Sequence, residues 1–376
     1  MSASAYQTSL RCWKAIRGDF KAWSLTGAVL QPNGTLTLDT ASAQVENDPQ
    51  PFLEGGHSFY NGGSFYVGEA LSPEVAAQFS VDELVPSWNA ETPTGTWLEV
   101  WLRVRLGERW SAWKNLGVWA SDNFTIQRHS VADQRDADTS VSTDTLIVHP
   151  AGEVTAWQMK VRLFSADGTH LPTLRLAAVA VASPKPASPI LLPGNPKLWN
   201  LRYPVPECSQ MIYPDGGNVW CSPTSLAMLF GYWGWRESNE IRVRTSVEGV
   251  YDWVFEGYGN WSFNAAYAGH RGFEAYVMRV SSLAELEPWL AAGVPVVVSF
   301  GWKAGQLTGA PIPSSNGHLA VLAGFDPQGN PIINDPACAT DEGVCRTYDR
   351  TEWETLFLAR SGGTAYLIHP QEWKVP

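Results

Sequence analysis

No run of apolar residues in this chain approaches the ~18 that a helix needs to cross a bilayer. The longest, around Ala292 to Phe300 and Leu174 to Ala182, are strand-length. No membrane insertion is therefore expected. Charge is also scarce, with Asp, Glu, Lys and Arg making up 17% of 376 residues. Basic charge is scarcest, 26 Lys and Arg against 37 Asp and Glu, giving a net charge of −11. Phosphate backbones need a cationic surface, so nucleic acid is not an expected partner. Five cysteines (Cys12, Cys208, Cys221, Cys338 and Cys345) are too few for a disulfide scaffold. Being odd in number, they leave at least one thiol free. CxxC spacing is absent and only His369 lies near the last two, so no metal and no other cofactor is expected. The start, MSASAYQTSL, lacks the basic and apolar regions of a signal peptide. A cytoplasmic location is expected on that ground, and an extracellular one if the chain was trimmed.

Aromatic residues are what the chain has in excess: 19 Trp, 12 Tyr and 14 Phe, beside 33 Gly and 26 Pro. Chains rich in Trp and Gly and poor in charge suit extracellular β-proteins and carbohydrate binders. Large aromatic cores are the ordinary alternative. Hydrophobic residues reach 44%, enough for a packed core rather than a disordered chain. The length corresponds to two domains. The composition changes where they would meet, in SPKPASPILLPGNPKLWNLRYPVP, which holds seven prolines between Pro184 and Pro206. Proline fixes φ and removes a donor, so this run suits neither a helix nor a central strand. Residues 184–197 read as a semi-rigid linker.

Before the linker the period is two. Leu98, Val100, Leu102, Val104 and Leu106 alternate with Trp97, Glu99, Trp101, Arg103 and Arg105. Trp157, Met159, Val161 and Leu163 alternate with Gln158, Lys160 and Arg162. Residues 143–149 and 173–182 look similar, and Asn33-Gly34 is a turn signal. A weak helical period appears only near Ser72 to Phe79. Residues 5–183 are therefore expected to form an all-β sandwich of jelly-roll type.

After the linker, residues 198–376 are mixed. CSPTSLAMLFGYW has an apolar face and a first-turn proline, and predicts a helix. Residues 281–293 predict a second, with Ser282 and Glu285 at capping-box spacing and Gly293 at the end. Strands are expected at residues 294–300, 318–325, 331–335 and 364–370. The apolar run of the first sets it in the middle of a sheet. Helices first and antiparallel strands later is an α+β layout.

Cys221 stands at the start of the first of these helices, after Gly216 and Gly217. Unpaired N–H groups and the dipole there favour a thiolate, the nucleophilic form. The two glycines allow close backbone approach to a substrate. His318, at the mouth of an apolar strand, is a candidate general base, and Asp335, ending the next strand, a candidate orienter of its ring. A symmetric hairpin about Gln328 and Gly329 sets Asp335 opposite Leu322. Contact with His318 then requires a turn or bulge after Asn334; Asn334 and Asp326 are the other orienters in reach. Gln210 offers a side-chain donor that, with the Cys221 N–H, would face a developing oxyanion.

VPECSQ, GGNVWCSPTSLAML, NGHLAVLAGFD and INDPA, in this order, resemble the papain-fold cysteine peptidases of the double-glycine-leader type (cysteine peptidase family 39). The resemblance is closer to their stand-alone bacterial relatives and covers roughly residues 198–370. It implies a papain-like α+β domain with Gln210 at the oxyanion hole, Cys221 as nucleophile, His318 as base and Asp335 as orienter. VPSWNAETPTGTWLEV and ASDNFTIQRHS look like the β-rich region that precedes the domain in some such proteins. The implied activity is a thiol protease, a cysteine hydrolase of peptide bonds acting through an acyl-enzyme, with a peptide or protein as substrate. Two alternatives stand beside it. One is an acyltransferase or transglutaminase built from the same parts. The other is a catalytically silent protein whose Trp-rich sandwich holds a glycan or cell-surface ligand. The pair Cys338 and Cys345 is open between a disulfide and two thiols.

Overall fold

A computed structural model of the chain describes residues 6–48, 60–149, 154–186 and 188–376. The sandwich start expected at residue 5 lies outside the described residues. The chain divides into two compact units. One holds Arg11–Ser183 and Tyr251–Arg271; the other holds Pro184–Val250 and Gly272–Pro376 with the start of the chain up to Leu10.

The first unit is built on two antiparallel sheets. In one, Glu83–Glu91 pairs along its length with Thr173–Ala182. In the other, Thr96–Leu106 pairs with Val154–Ser165. The two-residue period explains the core: Leu98, Val100, Leu102, Met159, Val161 and Leu163 are all fully buried. The weak helical period near Ser72 is overridden, because Val75–Ala76 is a short strand paired with Ala156 and Trp157. A helix completes this unit from beyond the proline run, which departs from a simple division of the chain at its middle. Trp261–His270 docks on the sheet through Phe263, whose ring lies 6.2 Å from that of Trp88 and 5.4 Å from that of Trp119. Ser262 Oγ donates to Pro86 O at 2.6 Å. Gly117 makes room: a Cβ there would lie 2.8 Å from the Phe263 ring, and its φ of +151° disfavours any side chain.

The second unit carries one antiparallel sheet. Its strands run in the order Glu274–Arg279, Thr364–His369, Val296–Trp302, Ser315–Phe325, Pro331–Asn334 and Cys345–Thr347. Val296–Trp302 is central and wholly buried, as its apolar run demands. Helices Cys221–Tyr232, Asn239–Val250 and Arg350–Ser361 belong to the same unit. The single helix expected at residues 281–293 is split into a 3₁₀ turn, Leu283–Leu286, and a short helix, Glu287–Ala291. Pro288 has no N–H for the carbonyl of Ala284, which is taken instead by the Glu287 N–H. The capping box also shifts: Glu285 accepts from Ser281, not Ser282.

The linker is not wholly free of contacts. Its end folds into a 3₁₀ turn, Pro196–Leu198, capped by Asn195. Buried Glu287 accepts from Asn195 N at 2.6 Å and from Trp199 Nε1 at 2.8 Å, and pairs with Arg350 at 2.8 Å.

Candidate active site

The helix Cys221–Tyr232 begins without a side-chain cap, Trp220 being its N-cap residue. Its first intrahelical bond runs from Thr224 N to Trp220 O at 3.0 Å. Pro223, in the first turn, has no N–H to leave unpaired. The N–H of Ser222 turns to the Cys221 sulfur, as does that of Leu319 on the neighbouring strand. Ser225, one turn along, ties helix to strand: its hydroxyl is 2.8 Å from Cys221 O and 3.2 Å from Leu319 O. The nucleophile candidate is thus fixed beside the strand that carries His318.

His318 is buried and hydrogen-bonded on both sides. Nε2 meets Asp335 Oδ1 at 2.7 Å, and the ring also bonds the Cys221 thiol, which leaves Nδ1 as the atom facing sulfur. The rings of Phe300 and Trp302 stand edge-on to it, at 5.3 and 5.5 Å, and prevent it from rotating away.

Asp335 reaches His318 by a bulge that lies earlier than the expected turn after Asn334. The strands pair Phe325 with Pro331 and Gly324 with Ile332, then Leu322 with Ile333 and Val321 with Asn334. Ala323 is the extra residue. One step further along, Asp335 faces Ala320, and paired residues share a face. His318, two residues from Ala320, is on that face too. Without the bulge Asp335 would oppose Val321 and point to the other side of the sheet.

The carboxylate is fully buried and held by three donors. Besides His318, Tyr348 Oη donates to Oδ2 at 2.8 Å and Ala337 N to Oδ1 at 3.0 Å. The fallback orienters are engaged elsewhere. Asn334 Nδ2 donates to Val205 O and Pro206 O, and Asp326 accepts from the turn residues Gln328 and Asn330.

These contacts set the charges. Burial pushes the Cys221 thiol up, but the hydrogen bond and charge of His318, with the two backbone donors, bring it below its ordinary value. Burial pulls His318 down, yet Asp335 and the bond to Cys221 push it up to about 10. Burial would raise Asp335; His318, Tyr348 and Ala337 hold it below the usual carboxylate range. All three shifts favour thiolate, imidazolium and carboxylate.

Gln210 is buried on the loop before the helix. Its Nε2 donates to Gly217 O at 2.6 Å, and its backbone N to Pro336 O at 2.8 Å, just past Asp335. Gly217 is required by this loop rather than by a substrate: a Cβ there would lie 1.9 Å from Gln210 O. Cys208 and Cys338 each have an arginine beside the sulfur, Arg242 and Arg346, but burial outweighs it. All five cysteines are free thiols; burial pushes Cys208 up to about 12 and raises Cys338 and Cys345. Iodoacetamide near neutral pH is therefore expected to modify Cys221 first and Cys208 last, read by peptide mapping. Equal or earlier labelling of Cys208 would contradict this electrostatic ordering of the thiols.

Sequence reasoning does not reach Tyr348, Ser225 or Trp302. Tyr348 lies thirteen residues from Asp335 in a loop with no period, and nothing in RTYDR marks it as a partner.

Two family models match this chain, one on each side of the proline run. Residues 9–183 match the family described as the peptidase C39 N-terminal domain, and residues 203–365 match the peptidase C39-like family. No curated protein matches. Among solved structures, TmCBM61 in complex with β-1,4-galactotriose is 11% identical, with 47% of this chain and 88% of that chain covered and a TM-score of 0.19. A family two carbohydrate esterase from Cellvibrio japonicus is also 11% identical, with 60% and 50% covered and a TM-score of 0.20. A study of carbohydrate-binding modules of the β-sandwich superfamily supplies a third, 11% identical, with 48% and 56% covered and a TM-score of 0.18. At such scores the likeness carries no argument about fold or ligand.

Proposed function

We propose that this chain, a C39-like relative in both of its halves, is a cysteine peptidase with a papain-like catalytic unit and Cys221, His318 and Asp335 as its triad. The observation that carries the reading is the unbroken chain of contacts from the Cys221 thiol through His318 to Asp335 at 2.7 Å.

The Cys221 thiolate attacks the carbonyl carbon of the scissile amide, forming a C–S bond and placing charge on the carbonyl oxygen. The Cys221 N–H faces that oxygen. An amide nitrogen has two hydrogens; Gly217 takes one from Gln210 Nε2, and the second is assigned to the oxyanion. His318, already protonated, gives its proton to the leaving nitrogen as the C–N bond breaks. Now neutral, it takes a proton from water, which attacks the thioester and releases the acid and the thiolate. Asp335 stays ionised throughout and holds the ring.

A peptide library incubated in H₂¹⁸O tests this. The expected products carry one ¹⁸O at each new carboxyl end, in equal amount to the new amine. Products that instead join a second amine to the acyl group would make the chain an acyltransferase. Absence of any processed peptide across a diverse library would remove the peptidase reading.

A further inference from the structure

The carboxylate of Asp335 has two oxygens, and the peptidase reading uses one of them. Oδ1 accepts from His318 Nε2 at 2.7 Å and from Ala337 N at 3.0 Å. Oδ2 accepts from Tyr348 Oη at 2.8 Å, and among the described residues Tyr348 is its one donor. Asp335 is fully buried and Tyr348 is 1% exposed. A buried carboxylate oxygen without a donor is costly, so this hydroxyl matters to the charge on Asp335.

Tyr348 is fixed by backbone on both sides. The strand before it, Cys345–Thr347, pairs with Pro331–Asn334, the strand that leads to Asp335. Tyr348 N donates to Pro331 O at 3.1 Å. The residue after it, Asp349, caps the helix Arg350–Ser361 by accepting from Glu352 N at 2.9 Å. Burial, then the charge of Asp335, raises the phenol, so it stays protonated and donating. Cys338 and Arg346 are the other titratable groups that reach it, and they bond each other at 2.9 Å. Burial raises that thiol and the bond to it raises the guanidinium, so neither changes charge while Cys221 titrates.

We propose that Tyr348 is a positioning residue of the triad: its hydroxyl fixes Asp335 through Oδ2 and keeps the negative charge that holds the His318 imidazolium and, through it, the Cys221 thiolate. This rests on the triad reading of Cys221, His318 and Asp335. Each link has a sign. Burial raises Asp335, and His318 and then the Tyr348 bond lower it. Burial lowers His318 and Asp335 raises it; burial raises Cys221 and His318 lowers it. Without the hydroxyl the sequence reverses. Asp335 draws the Nε2 proton more strongly, the imidazolium is less populated, and the thiolate forms at higher pH.

Tyr348→Phe, which keeps the ring, tests this in the full chain. The rate of Cys221 alkylation by iodoacetamide against pH reads the thiolate, and its midpoint is expected to rise by roughly one pH unit. The kcat for library peptides is expected to fall about 10-fold or more, the scale of one hydrogen bond to a charged group. KM is expected to be unchanged, because a buried phenol does not meet substrate. A hydroxyl that only stabilises the fold costs the same in any background. One acting through the charge costs less than ~3-fold when Tyr348→Phe is added to Asp335→Asn, whose amide turns its oxygen to His318 and offers Tyr348 no charge. Fluorotyrosine in place of tyrosine makes the phenol a stronger donor and is expected to lower the midpoint, a check that survives any misfolding of Tyr348→Phe. An unmoved midpoint in Tyr348→Phe with native circular dichroism overturns the proposal. So does an equal loss of kcat in both backgrounds, or a midpoint raised by fluorotyrosine. The alkylation measurements need no substrate, so their outcome is separate from that of the library assay.

Discussion

Cys221→Ala is expected to lose covalent turnover entirely, with a fall in kcat on the order of 10⁶-fold, the scale seen when a hydrolase triad loses its nucleophile. Alanine keeps the helix start: it is a good helix former, Trp220 caps through its backbone, and the Ser225 bond is to the backbone carbonyl of residue 221. What disappears is the sulfur that accepts from Ser222, Leu319 and His318. The imidazolium then loses one of its two partners but keeps Asp335, so the site should remain folded and able to hold a substrate. Turnover of library peptides by Cys221→Ala within tenfold of wild type would refute the assignment of the nucleophile.

Asp335→Asn is expected to reduce kcat/KM by about 10- to 10⁴-fold, the upper figure being that of a serine-protease triad whose Asp becomes Asn. Asparagine preserves the shape but removes the charge. Burial still pulls His318 down, while the largest opposing influence, the Asp335 carboxylate, is gone. The imidazolium is then lost at lower pH. In wild type the reactive pair exists above the lowered value of Cys221 and disappears as pH rises past about 10, where His318 deprotonates. In the variant the alkaline limb of the pH profile should move down towards neutrality, and the active window should narrow. Tyr348 also loses its charged acceptor at Oδ2. A wild-type rate and alkaline limb in Asp335→Asn, with collapse in Asn334→Ala or Asp326→Asn, would show that the orienter is misassigned. The structure argues against that, because those two side chains are bonded to Val205, Pro206 and the turn at residues 328–330.

How much of this is legible in the sequence varies with the kind of signal. The nucleophile helix is, because CSPTSLAMLFGY combines an uncapped start, a first-turn proline and an apolar stretch. The central strand is, because only buried strands read as continuous Val and Phe. The meeting of His318 and Asp335 is not. It depends on Ala323 being skipped in the ladder, and an alanine between Leu322 and Gly324 gives no local sign of a bulge. The helix Trp261–His270 is hidden for a different reason. Residues 262–269 are all buried, so no polar stripe marks its period. The helix Arg350–Ser361 is passed over although its ends are marked. Asp349 caps Glu352 N, and Gly362 adopts the left-handed conformation at its close. The division into units is the least legible feature, since Phe263 meets Trp88 and Trp119 across a long stretch of intervening chain.

The most direct measurement is labelling of the full chain with an electrophilic peptide probe across pH, comparing wild type with Cys221→Ala. One adduct per chain is expected, on Cys221 by peptide mapping, formed fastest between the lowered thiol value and about 10, and absent in the variant. An adduct of equal rate in Cys221→Ala, or one on Cys12, Cys208, Cys338 or Cys345 in the wild type, would contradict the assignment of Cys221 as the activated nucleophile.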